Sequence, residues 1–103
     1  RITLQQLVNI TSTNTAKIFG MYPTKGSFEP DSDADITLID LNKEQKVTND
    51  LFGGFSDYLI YEDWKLKGWP VKTIVRGQTV SEDFQVVGKC GYGKLVPRKN
   101  NSI

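Results

Sequence analysis

Gly26–Asn42 reads GSFEPDSDADITLIDLN, with aspartates at alternate positions, Asp31, Asp33 and Asp35, running into an apolar segment. The D-x-D-x-D spacing is that of the first half of a calcium loop. Such a loop needs a glycine at its sixth position and a bidentate glutamate at its twelfth. Counted from Asp31, those positions hold Ile36 and Asn42, so the glycine and the closing ligand are both missing. Carboxylate catalysis is equally unsupported, because nothing nearby would push one carboxyl pKa away from another. What remains is a turn at Pro30-Asp31-Ser32, whose polar side chains bond their own backbone. Asp33 and Asp35 then flank the start of a strand, with one of them expected to accept from backbone N–H groups. Ile36, Leu38 and Asp40 alternate with Thr37, Ile39 and Leu41, so both faces of that strand expect partial cover.

The remainder fits one small α+β unit or a piece of a larger one. The chain has 103 residues, 38% hydrophobic and 24% charged, as a globular segment does. Thirteen basic against twelve acidic residues leave a net +1, which provides no bulk field for nucleic acid or an anionic membrane. No apolar run reaches the length of a transmembrane helix. The chain opens at Arg1 with what reads as a helix already in progress, the expectation for a fragment of a longer protein. Histidine is absent. That removes Ser-His and Cys-His pairs, histidine bases and histidine-containing metal sites. Cys90 is the single cysteine, which excludes an internal disulfide and fits a cytoplasmic location.

Arg1–Gly20 reads as two short helices. Thr3 and Gln6 have capping-box spacing, and Leu4, Leu7 and Val8 share a face. The run NITSTN is expected to interrupt, because Thr and Asn side chains compete for backbone hydrogen bonds. Asn14 would then cap a second helix that Gly20 ends. Asn49–Gly68 carries Phe52, Phe55, Tyr58, Tyr61 and Trp64 among glycines and reads as a long loop packed by its own rings. Val71–Val75 and Thr79–Val87 read as two arms of a hairpin around Arg76-Gly77-Gln78. Pro70 falls just before the first arm, where its missing N–H costs little. The glycine-rich GKCGYGK, Gly88–Lys94, lacks the P-loop spacing and precedes Pro97 rather than a helix, so it reads as an extended crossing segment. Cys90 has only Lys89 and Lys94 near it in sequence and reads as a bystander thiol. Trp64–Lys72, WKLKGWPVK, mixes rings and lysines as single-strand nucleic-acid surfaces do. With a net charge near zero, such a stretch more commonly packs on its own domain.

Together these residues resemble a known family. Asn14–Asp40, NTAKIFGMYPTKGSFEPDSDADITLID, is similar to the closing segment of the amidohydrolase superfamily. There N-P-A-x-x-x-G is followed by K-G-x-I-x-x-G-x-D-A-D, four apolar residues and an aspartate. Gly68-Trp69-Pro70, Arg76-Gly77 and Gly91-Tyr92-Gly93 resemble hydantoinases and dihydropyrimidinases in particular. The departures are Thr15 for a common proline, Asp31 and Asp63 for common glycines, and Cys90 for a common proline.

The resemblance implies that 1–25 are the terminal helices of a barrel shell. It implies that 26–87 are the C-terminal strands of the small β-sandwich flanking a metal-dependent TIM-like barrel, with an aromatic loop over 49–70, and that 88–103 are an extended tail. The parent would be a cytoplasmic hydrolase of cyclic amides with a binuclear zinc centre, and a homo-oligomer. Its histidines, carboxylated lysine and aspartate ligands would lie upstream. The partner implied for this chain is the remainder of its own parent; nucleic acid and membrane are not. No catalytic, cofactor-binding or metal residue is expected here. An allantoinase-type parent and a free-standing β-rich interaction module are the alternatives.

Overall fold

The computed structural model describes residues 1–99. They form two compact units, Arg1–Asp35 together with the segment beginning at Cys90, and Ile36–Lys89.

In the first unit, helix α1 (Leu4–Val8) starts on a complete capping box. The Gln6 N–H donates to Thr3 Oγ1 (3.1 Å), and the Thr3 N–H donates to Gln6 Oε1 (2.8 Å). The expected interruption at NITSTN does not occur. Asn9–Thr13 form a wider π-helical turn that runs directly into α2 (Asn14–Ile18). Two threonine hydroxyls stay inside the helix: Thr11 Oγ1 donates to the Leu7 carbonyl (2.7 Å) and Thr15 Oγ1 to the Ile10 carbonyl (2.9 Å). Bonding back to the preceding turn widens a helix rather than ending it. Asn14 is therefore helical (φ −67°, ψ −37°), not a cap. The helix closes in a Schellman pair, Gly20 N–H to the Lys17 carbonyl (3.2 Å) and Met21 N–H to the Ala16 carbonyl (2.8 Å). The segment from Cys90 returns here, where the Lys99 N–H donates to the Gly20 carbonyl (3.0 Å). The last four residues of the expected tail lie outside the described residues.

The second unit is an antiparallel meander in the order β1 (Ile36–Lys46), β2 (Lys65–Val75), β3 (Gln78–Glu82), β4 (Gln85–Val86). The expected aromatic loop over 49–70 ends early, because β2 already begins at Lys65. Pro70 is thus inside a strand, opposite Ile39, where the register slips; a bulge is the place a strand tolerates proline. A second irregularity follows Asp40, whose Oδ1 accepts from the Asn42 (2.9 Å) and Lys43 (3.2 Å) N–H groups. The pairing then resumes at Glu44↔Lys67, leaving Leu41–Lys43 opposite Gly68 alone.

The first hairpin turns on two residues, Arg76 (φ 45°) and Gly77 (φ 79°), between paired Val75 and Gln78. Two consecutive positive φ values match a type I′ turn, whose twist suits a hairpin. Thr79–Val87, expected as one arm, folds in two at Asp83 (φ 47°) and Phe84 (φ 63°). A phenylalanine in this region is a backbone outlier. It is held by tertiary contacts: its ring meets Trp69 edge-on at 5.5 Å, and Lys43 Nζ lies 4.9 Å from the ring centre. The Asp83 N–H donates to the Val71 carbonyl (3.0 Å).

The loop between β1 and β2 is clamped at its base by Val47, which donates to the Trp64 carbonyl (2.7 Å) and accepts from the Asp63 N–H (2.8 Å). Tyr61 and Trp64 meet edge-on at 5.3 Å. The other rings do not pack on one another as expected: Phe52 and Tyr58 are exposed and Phe55 is fully so. Among the described residues the buried hydrophobics are Ala16, Val47 and Trp69. Leu4, Ile18, Phe19, Phe28, Leu38, Ile39 and Leu41 are exposed.

Replacing Gly77 with valine forces a β-branched residue to φ 79°. The expected loss is about 1–3 kcal/mol of stability, read as a lower urea midpoint. An unchanged midpoint would show that the turn lies elsewhere.

Candidate functional site

The residues of the opening motif converge on one lysine within the first unit. The chain turns through Asp31, at φ 71°. Ser32 anchors that turn, its N–H donating to the Glu29 carbonyl (3.1 Å) and its Oγ to the Pro23 carbonyl (2.7 Å). The Asp33 N–H donates to the Thr24 carbonyl (2.9 Å), which brings Asp33 and then Asp35 beside Lys25. Lys25 Nζ bonds Asp33 Oδ2 at 2.9 Å and also the Asp35 carboxylate. Asp33 and Asp35 thus share one ammonium. Lys25 had not been singled out from sequence; its place directly before Gly26 in the K-G-x-I-x-x-G-x-D-A-D pattern was the signal available.

Gly26 sets the close approach that positions Lys25. It has φ +78°, and a side-chain carbon there would lie 2.7 Å from the Ala16 Cβ and 3.1 Å from the Ser12 carbonyl oxygen. Its own carbonyl accepts from Thr13 Oγ1 (3.1 Å). A recess of about 480 Å³ opens beside this contact, lined by Val8, Thr13, Met21, Tyr22 and Phe28 and bordered by Lys25.

Burial of the Lys25 ammonium opposes its charge, but the hydrogen bonds and negative charges of Asp35 and Asp33 outweigh it, and its pKa is raised. A lysine held protonated is neither a base nor a nucleophile at neutral pH. The arrangement is therefore a charged clip across the Met21–Asp35 loop. Asp31, the remaining carboxylate of the motif, serves the turn. Among the described residues no cluster of three or more His, Cys, Asp or Glu is placed to hold a metal ion. Cys90 is exposed.

The clip predicts an alkaline signature. Because the folded pKa of Lys25 is raised, its contribution is fully present below the unfolded lysine value, about 10.4, and is lost as pH rises through the folded value. Lys25→Met should cost roughly 1–2 kcal/mol near pH 7, discounted for carboxylates about a third exposed. The gap between the two proteins should shrink above about pH 10, as followed by urea titrations across pH. A gap independent of pH would remove the clip. Gly26→Ala should also lower the melting temperature, since both its φ and the Ala16 contact forbid a side chain; an unchanged melt would count against the close approach.

Similar proteins were found by sequence and by fold. The amidohydrolase family model matches residues 1–80. The chain is 42% identical over 98 residues to a D-hydantoinase of Geobacillus stearothermophilus, covering 95% of this chain and 21% of that protein. It is 37% identical over 100 residues to an L-hydantoinase of Paenarthrobacter aurescens, covering 97% and 22%. A crystal structure of D-hydantoinase superposes with a TM-score of 0.90 at 42% identity over 96% of this chain and 22% of that one. A dihydropyrimidinase from Brevibacillus agri gives 0.88 at 38% identity, over 94% and 21%. The chain thus spans about a fifth of the length of the curated relatives it matches. With a family model matched from residue 1 to residue 80 and solved folds superposed nearly end to end, this chain belongs to the amidohydrolase family.

Proposed function

We propose that this chain is the non-catalytic C-terminal portion of a metal-dependent hydrolase of cyclic amides, of the hydantoinase or dihydropyrimidinase type, which cleaves a ring C–N bond. The observation that carries this reading is the coverage: relatives named as hydantoinases match nearly all of this chain, while it accounts for about a fifth of theirs. The resemblance of Asn14–Asp40 to the family's closing segment supports the C-terminal position. The relatives' names favour this branch over an allantoinase-type parent. The family implies a binuclear zinc centre, and the residues present do not fit one. The chain has no histidine, and no described cluster of acidic or sulfur ligands substitutes for it. In this reading the catalytic and metal-binding residues belong to the rest of the parent, and no chemical step passes through this chain.

Its contribution is architectural. Residues 1–25 belong to the barrel shell, 26–87 to the flanking sandwich and 88–103 to a tail. The partner is the remainder of the parent chain, which covers apolar side chains such as Ile18, Phe19, Leu38 and Ile39 that are exposed here. The parent is a cytoplasmic homo-oligomer in this reading. A free-standing module is disfavoured because so few described side chains are buried.

Activity, zinc content and self-association test the proposal. The purified chain should hydrolyse neither hydantoin nor dihydrouracil and should carry no stoichiometric zinc; near one zinc per chain by elemental analysis would overturn it. β1 is an edge strand with exposed apolar residues, and such edges pair with other chains. Sedimentation at tens of micromolar (roughly the range where exposed edges self-associate) should show dimers or larger species, or a weakly cooperative melt. A monodisperse, cooperatively melting monomer would favour the free-standing module.

A further inference from the structure

We draw no further inference here: the strongest candidate, the apolar surface patch on the loop between β1 and β2 formed by Phe52, Phe55, Tyr58, Ile60, Tyr61 and Trp64, carries nothing because nothing in the structure shows what covers it.

Discussion

Shortage of buried apolar surface is the constraint under which the sheet exists. In Ile36–Lys89 the buried hydrophobic side chains are Val47 and Trp69. A fully buried large side chain contributes roughly 1.5–3 kcal/mol, whereas ordering a residue's backbone costs roughly 1–2 kcal/mol. Strand pairing satisfies the backbone groups of β1–β3 but adds little net free energy per bond. The half-exposed apolar residues on both faces of β1 can stabilise this sheet fully only when something covers them. That need links packing to the proposed role, since a domain beside a barrel is a surface with work for apolar side chains on more than one side.

Where buried area is scarce, individual contacts decide local geometry. Trp69 shows this most plainly. It is buried, donates its indole N–H to the Leu66 carbonyl (2.8 Å) and meets the Phe84 ring edge-on. Phe84 in turn occupies a backbone region that phenylalanine avoids. Strain of this kind persists only when the surroundings over-determine it. Here the surroundings are an aromatic neighbour, the Lys43 ammonium and an Asp83 N–H committed to Val71. Asp31 and Asp63 both sit at φ 71°. Aspartate tolerates that region better than most residues, so each turn keeps its geometry without glycine.

The Lys25 clip explains why an acidic motif need not be a site. Two carboxylates close together repel unless a cation lies between them. The ammonium is held by Asp35 and Asp33 and its pKa is raised, so the cation lies between the two carboxylates. The same residues that suggest metal binding in a linear reading thus fasten the loop that follows α2.

Much of this was legible in the residues alone. The capping box at Thr3 and Gln6, the stop at Gly20, the strand from Ile36 and the turn at Arg76-Gly77 all rest on interactions between residues a few positions apart. Side-chain chemistry and backbone preference largely determine such short-range contacts. The D-A-D pattern likewise pointed to the family. Only the tertiary structure decided the rest. Whether threonines break a helix or widen it depends on which carbonyls their hydroxyls reach. Whether Pro70 precedes a strand or sits in one depends on a bulge set by its partner strand. Whether Asp83-Phe84 continues a strand or turns it depends on a ring fifteen residues away at Trp69. The outcomes at Pro70 and at Asp83-Phe84 come from contacts between distant segments, which outweigh the local preferences from which a linear reading must work.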